Sequence, residues 1–408
     1  MPSTPIRHRP GLRLKTISLA VAVLAVALFR AGGARAESVT FVFTSDVHFG
    51  ISRSTFRGAS YVDARVVNAA MVQGINALPA VAFPADGGVR AGRMIGPVDF
   101  VAITGDLTNR QELYPIHIQS AATSWGQFET CFIDGLNLRD AGGRPTPLLL
   151  VPGNHDISNA IGAPTRLVPE RDATALTQLY NRMLNPVVPR TPATYSYAAD
   201  KINYARDFGG AHCVFLTIWP DRAARAWLER DLQQVSATTP VFLFCHDPPA
   251  IEARHLTNPR GAHDINGTDK FENLVGDIYA DGAIADDGKK PAGETTIEQR
   301  ALAVFLKAHR NIVGYFHGHS NWTEFYTWRG PDGDLALHVF RSDSPMKGKL
   351  SGKDETNLAF QVVAYDVTEQ RLTARECLWN APPATGGRPP PVSWGLVTTV
   401  SIAPRADN

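Results

Sequence analysis

The sequence predicts an α/β fold, and three observations carry it. Short apolar runs bounded by polar or turn residues alternate with amphipathic stretches. The amphipathic stretches repeat their apolar residues at helical spacing. Five of the six apolar runs lead straight into aspartate, histidine or asparagine, and open α/β sheets gather their sites at the carboxyl ends of strands. Such alternation implies at least one largely parallel sheet.

In chain order the strand-like runs are Val39–Thr44, Asp99–Thr104, Pro147–Val151, Cys213–Thr217, Val241–Cys245 and Ile312–Phe316. Between them, Trp125, Phe128, Phe132 and Leu136 recur at helical spacing, as do Leu176, Leu179 and Met183. Trp227, Leu228 and Leu232 repeat the pattern, and so do Ile297, Leu302, Phe305 and Leu306. These stripes read as core faces. After Asn321 the character changes. Thr323–Arg329 and Leu335–Arg341 flank Gly330-Pro331-Asp332-Gly333-Asp334 as a hairpin, and Phe360–Tyr365 and Leu372–Trp379 read as further strands with no helix among them. Residues 381–408 read as a Pro- and Gly-rich tail, with Pro382–Pro391 a surface loop. Three connections are long, about Arg110–Thr123, Ile157–Arg206 and Asp247–Thr295. The third carries His255, His263, Asp264 and the acidic tract Asp281–Asp287, and is expected to form a substrate-facing lid.

The first 36 residues stand outside the fold. Arg7, Arg9, Arg13 and Lys15 precede the apolar run Ile17–Phe29, and Ala34-Arg35-Ala36 forms a small-x-small cleavage site before Glu37. This is the pattern of a secretory signal peptide, and it predicts export, to the periplasm or beyond the cell. The 13-residue run is short for a membrane span of about 20, and no later stretch reads as one. Removing the six basic residues of this segment from 40 leaves 34 against 39 acidic, a net charge of −5. That balance gives no support for a polynucleotide partner. Cys131, Cys213, Cys245 and Cys377 are widely spaced, two of them inside apolar runs, and are expected to be reduced and structural.

The chemistry lies in the polar residues that follow the runs: Asp46-Val47-His48, Gly105-Asp106, Gly153-Asn154-His155-Asp156, His246-Asp247 and His317-Gly318-His319-Ser320-Asn321. Gly-Asp after a strand is usually just a turn. Gly-Asn-His-Asp after an apolar strand is far more specific, and the five in this order make coincidence a poor explanation. Carboxylate, imidazole and carboxamide oxygen suit Mn, Fe or Zn. Asp106 can bridge two cations with its two oxygens. The glycines before Asp106, Asn154 and His319 permit tight turns beside such cations.

Over about Val39 to Asn321 this series resembles the calcineurin-like metallophosphoesterase superfamily. The resemblance implies a four-layer α/β/β/α sandwich of two mixed sheets flanked by helices, a single domain over residues 37–380, with the strands after Asn321 completing the second sheet. It implies two divalent metal ions, the first on Asp46, His48 and Asp106, the second on Asp106, Asn154, His246 and His319. His155 matches the acid–base histidine, and Asp156 a supporting acidic position beside it. The family usually ends with Gly-His-x-His, whereas here Asn321 takes the last place and offers a carbonyl oxygen to the first metal. An alternative alignment pairs His317 with His319, but Asn321 keeps Gly318 at the turn. Asn109 stands where purple acid phosphatases carry an iron-binding tyrosine, so the chain resembles the non-purple branches. The implied activity is hydrolysis of a phosphate mono- or diester by direct attack of a hydroxide bridging the metals. The competing reading is a non-catalytic metal-bound scaffold. Asn321 points that way, and retention of His155 points against it. Tyr114, His117, His255, His263 and Lys347 are further polar candidates for substrate contact.

Overall fold

The computed structural model of the protein describes residues 38–109, 111–113, 117–158, 173–252, 255–257, 274–277, 297–380 and 392–406. Segment 1–36, Tyr114, His263, Asp264, Asp281–Asp287 and Pro382–Pro391 lie outside them, as does most of the Asp247–Thr295 connection, and His117 is described by its backbone alone.

In chain order the strands are β1 (Val39–Thr44), β2 (Ser52–Phe56), β3 (Ala59–Asp63), β4 (Phe100–Thr104), β5 (Gln111–Leu113), β6 (His117–Gln119), β7 (Leu148–Val151) and β8 (Tyr204–Phe208). They continue with β9 (Ala211–Phe215), β10 (Val241–Phe244), β11 (Ile312–His317), β12 (Glu324–Trp328), β13 (Leu337–Arg341), β14 (Ala359–Asp366), β15 (Arg371–Leu378) and β16 (Ser393–Ser401). The α-helices are α1 (Ala64–Ala77), α2 (Ala121–Phe128), α3 (Asn154–Ser158), α4 (Thr174–Leu184), α5 (Arg222–Leu232) and α6 (Ile297–Ala308). All six apolar runs form strands, displaced by no more than two residues.

Twelve of these strands form two six-stranded sheets, ordered β16-β15-β14-β1-β4-β7 and β12-β13-β11-β10-β9-β8, while β2-β3 and β5-β6 are separate two-stranded pairs. β1, β4 and β7 run parallel in the first, and β9, β10, β11 and β13 in the second. Every residue of β1, β4 and β10 is buried, as parallel strands covered on both faces require. The inner faces meet through aromatic rings. Phe41 and Phe43 of β1 contact Phe316 of β11 edge-on at 5.4 and 5.3 Å between centroids, and Phe244 stacks on Phe316 at 4.7 Å. Helices cover the outer faces. Met71 of α1 reaches Thr44, Met183 of α4 reaches Leu150, and Asp231 of α5 reaches His212. Asp63 caps α1 by accepting the Arg65 N–H at 2.8 Å, and Asp221 caps α5 by accepting that of Ala224 at 2.8 Å. The result is the four-layer α/β/β/α sandwich.

Two expectations are corrected. Only β12 and β13 complete the second sheet, whereas β14 and β15 cross to the first, where β14 pairs antiparallel with β1 from Val39↔Tyr365 to Phe43↔Gln361. A fully buried, largely apolar β1 cannot stand at an edge without exposing a pairing template. The segment set apart as a tail supplies β16, paired with β15 and largely exposed, and Ile402 behind it is buried. All four cysteines are free, and Cys213, Cys245 and Cys377 are buried. Among the described residues no helix is long and apolar enough to cross a membrane.

Candidate metal centre

Parallel neighbours share one carboxyl edge, so the loops after β1, β4 and β7 emerge together, as do those after β10, β11 and β13. Hydrogen bonds tie the two edges: His246 Nδ1–H donates to the Thr104 carbonyl at 2.7 Å, and the His319 N–H to Asp46 Oδ2 at 2.9 Å. The local backbone is strained at this junction. Asp46, His48, Asp106, His319 and Asn321 all lie in the left-handed region, with φ of 57°, 43°, 51°, 64° and 64°. Such conformations cost a non-glycine residue on the order of 1–2 kcal/mol each. Surrounding bonds enforce them, including Asp46 N–H to Gly105 carbonyl at 3.0 Å and His48 N–H to Asp106 carbonyl at 2.9 Å. A Cβ on Gly105, itself at φ 94°, would strike the Gly153 backbone, and one on Gly318 would strike Ser45 and Asp46. Close approach of the loops is what these two glycines permit.

The Asp106 carboxylate sits at the centre. Its Oδ1 lies 3.5 Å from His246 Nε2 and accepts the His155 N–H at 2.8 Å, while its Oδ2 lies 3.6 Å from His48 Nε2 and 3.9 Å from His155 Nε2. On one side, Asp46 Oδ1 is 3.7 Å from His48 Nε2. On the other, His246 Nε2, His319 Nδ1 and Asn154 Oδ1 lie 2.9 to 3.3 Å from one another. Donors at about 2.1 Å from one cation are separated by roughly 3.0–3.4 Å, so this second group has the spacing of a ligand set. Asp46 Oδ1, His48 Nε2 and Asn321 Oδ1 are buried with no hydrogen-bond partner among the described residues. Leaving such atoms unsatisfied costs about 1–3 kcal/mol each, and a cation would satisfy them. The donor set fits the two cations that the sequence leads one to expect.

Burial pushes the Asp106 carboxyl up to about 7, with Asp46 adding to it and His246 opposing. Burial works to lower His246, but Asp106, Asp46 and Asp247 outweigh it and raise the ring to about 9. Burial and then Lys347 hold His48 and His155 well below the usual histidine range. His48, Asp106, Asn154, His155, His319, Asn321, Glu252, Ser320, Lys347 and Lys349 line an open cleft of about 290 Å³.

The remaining sequence candidates fall in different places. Asp156 is fully buried behind the cleft. Its carboxylate accepts the Leu107 N–H at 3.1 Å, the Thr108 N–H at 2.8 Å and the Gly153 N–H at 2.9 Å. It therefore braces the Asp106 loop from behind the cleft. His317 is buried away from the cleft, with Nε2 3.0 Å from the Tyr326 hydroxyl. The structure thus places Asn321, and not His317, at the cleft. Lys347 reaches it with Nζ 3.1 Å from His155 Nε2.

Sequence reasoning missed several contributors. Asn109, read only as the absence of a tyrosine, has its carboxamide 2.9 Å from His48 Nδ1 and fixes that ring. The amide nitrogen is the atom placed there; exchanging it with Oδ1, which is buried without a partner among the described residues, would let Nδ1–H donate and leave the Nε2 lone pair facing the cleft. Ser344 Oγ donates to the Asp46 carbonyl at 2.7 Å and accepts the Lys347 N–H at 2.9 Å. The buried Arg53 guanidinium donates to the carbonyls of Pro345, at 2.8 Å, and Ser351. Neither residue belongs to a motif, so no local signal marks them.

Next to Ser344, burial raises the Asp343 carboxyl to about 7, opposed by Ser351, Ser344 and Arg53. The folded state therefore holds this proton where the unfolded chain, at the ordinary 3.8, has released it. Its contribution to stability is complete below about pH 4 and is lost as pH rises toward about 7, by up to ~1.4 kcal/mol per pH unit. Asp343→Asn is expected to remove that slope, read from chemical-denaturation midpoints between pH 4 and 8.

Buried carboxylates and imidazoles, gathered with an asparagine at the strand ends of a two-sheet sandwich, define a metal-dependent hydrolase. The profile of the calcineurin-like phosphoesterases matches residues 39–322. The chain belongs to that family and is a metal-dependent phosphoric ester hydrolase. A comparison with curated proteins found no match. Among solved structures, a dimetal phosphatase from Danio rerio is similar at 11% identity and a TM-score of 0.48, over 90% of this chain and 99% of that one. The phosphopantetheinyl hydrolase of Mycobacterium tuberculosis is similar at 12% identity and 0.32, over 76% and 91%. A 5'-nucleotidase precursor from Thermus thermophilus is similar at 10% identity and 0.36, over 81% and 52%.

Proposed function

We propose that the protein is an exported, dinuclear-metal phosphoesterase that hydrolyses a phosphate mono- or diester without a covalent enzyme intermediate. The observation that carries this reading is the Asp106 carboxylate, which turns one oxygen toward His48 and the other toward His246. Asp46, His48, Asp106 and Asn321 would hold the first cation, and Asp106, Asn154, His246 and His319 the second. When bound, the pair supplies Lewis acidity to the phosphoryl oxygens and lowers the pKa of water.

The chain's own residues do the rest. The strained loops hold the donors in place before any cation arrives. The Lys347 ammonium, beside His155, adds positive charge where phosphoryl oxygens come to lie. His155 stabilises the transferring group or protonates the leaving oxygen. Asp156 keeps the Asp106 turn in register through its backbone bonds. Export rests on the basic start, apolar run and Ala34-Arg35-Ala36 site, and an amino terminus at Glu37 in the secreted or periplasmic protein is the expected finding.

The test uses p-nitrophenyl phosphate and its bis-ester with chelator-stripped protein reloaded with Mn, Zn or Fe(II). Stripping is expected to abolish hydrolysis and reloading to restore it, and the preferred ester separates phosphatase from phosphodiesterase. Full activity in protein shown to be metal-free would overturn the reading.

A further inference from the structure

His255 lies in the loop after β10, and its side chain is fully buried. Its Nδ1 is 2.6 Å from Asp247 Oδ2, so Nδ1–H donates to that carboxylate, and in the neutral ring this leaves the lone pair on Nε2. No described residue hydrogen-bonds this Nε2. His246 shows the same arrangement, with Nδ1–H fixed by the Thr104 carbonyl and Nε2 turned into the centre. An imidazole whose distal N–H is held by a carboxylate or carbonyl is oriented as metal-ligating histidines are.

One ligand atom each from Glu252, His255 and His319 lies within 4.8 Å of the others. The two rings are 5.0 Å apart. His319 faces both ways: Nδ1 is 3.1 Å from Asn154 Oδ1 and 3.3 Å from His246 Nε2, while Nε2 is 3.1 Å from Glu252 Oε1. A plain Nε2–H bond from His319 to Glu252 would account for that pair, but it leaves His255 Nε2 buried without a partner among the described residues.

The geometry points to a third divalent-cation site, on Glu252, His255 and His319, that shares the His319 ring with the dinuclear centre. Two imidazoles and one carboxylate suit Zn²⁺ better than Mg²⁺ or Ca²⁺, which prefer all-oxygen sets. With both ring nitrogens ligating, His319 gives up its ring proton to solvent as the third cation binds. Glu252 is 44% exposed at its side chain and lines the cleft with His319, so the open positions of this cation face the substrate. An anionic group of the substrate other than the reacting phosphate is the ligand they would take.

The inference rests on the dinuclear reading only through His319, and metal counting separates the two. The full chain, cleared of its amino-terminal segment by export, is stripped, reloaded with excess Zn²⁺, desalted and measured by mass spectrometry for bound zinc. Three equivalents are expected in the wild type and two in both His255→Ala and Glu252→Gln, the second variant guarding against misfolding in the first. In crystals, an anomalous zinc peak about 2.1 Å from His255 Nε2 is expected. Two equivalents in all three proteins would overturn the third site and leave the dinuclear centre standing. Three in all of them would also overturn it, by placing the extra zinc elsewhere. Fewer than two in the wild type would overturn both.

Discussion

Asp106→Asn is expected to lower turnover by at least about a hundredfold, roughly 2.7 kcal/mol of transition-state stabilisation. The size of the effect follows from position. One oxygen of this carboxylate lies 3.6 Å from the His48 nitrogen and the other 3.5 Å from that of His246. An amide keeps the shape but offers one carbonyl oxygen and no negative charge, so one of the two proposed cations would lose this donor outright and the other would keep only a weaker, neutral one. The turn itself should survive. Its positive φ is one that asparagine tolerates as well as aspartate, and the Asp156 bonds that brace it go to backbone N–H groups. The variant should therefore fold, bind less metal and turn over slowly. A folded, metal-loaded Asp106→Asn protein with wild-type turnover would remove the basis of the mechanism. Metal content and kcat measured on the same preparation decide the matter.

Much of this arrangement was legible in the sequence because strands of a parallel sheet announce themselves twice. They are apolar on both faces, and their carboxyl ends carry the chemistry. β1, β4, β7, β10 and β11 satisfy both conditions, and the residues they deliver are the ones that converge. What was not legible lacks one of the two signals. β16 is largely exposed and sits beside a Pro- and Gly-rich stretch, so it read as tail. β14 read as a strand, but nothing local says which sheet it joins; pairing with β1 closes an edge across more than three hundred residues of chain. α1 went unnoticed although Val67, Met71 and Ile75 form a buried stripe, because it begins directly after a short exposed hairpin.

The site divides in the same way. Asp46, His48, Asp106, Asn154, His155, His246 and His319 were visible because each follows an apolar run. Asn109 and Ser344 act through hydrogen bonds to those residues from positions with no pattern of their own. Asp156 shows how neighbours in one motif can face opposite ways. It is adjacent to His155 in sequence, yet α3 turns its side chain back toward the backbone of the Asp106 loop, while the His155 ring stays at the cleft. Charge type and spacing do not reveal that reversal; helix geometry does.

His155→Ala is expected to cut kcat by about 10²–10³ while leaving metal content close to that of the wild type. The ring touches both parts of the machinery. Its Nε2 is 3.9 Å from Asp106 Oδ2 and 3.1 Å from the Lys347 ammonium, and one ligand atom each from His48, Asp106 and His155 falls within 4.8 Å of the others. That grouping also allows His155 to be a donor to the proposed first cation, which would have Asn321 in place of the histidine that the resemblance leads one to expect. The competing roles make different demands. A donor takes metal with it when removed, whereas an acid–base group lowers kcat and leaves the cations bound. Burial and the adjacent Lys347 hold the ring well below the usual histidine range. The negative charge of a bound phosphate acts in the opposite direction and favours protonation of the ring. Lys347→Ala should then weaken substrate binding as well as turnover, since it removes a charge that faces the anion before and during reaction. Loss of one metal equivalent in His155→Ala, with the Lys347 variant fully loaded, would transfer His155 from proton donor to ligand and leave the positive charge facing the phosphoryl group to the cleft lysines, Lys347 and Lys349.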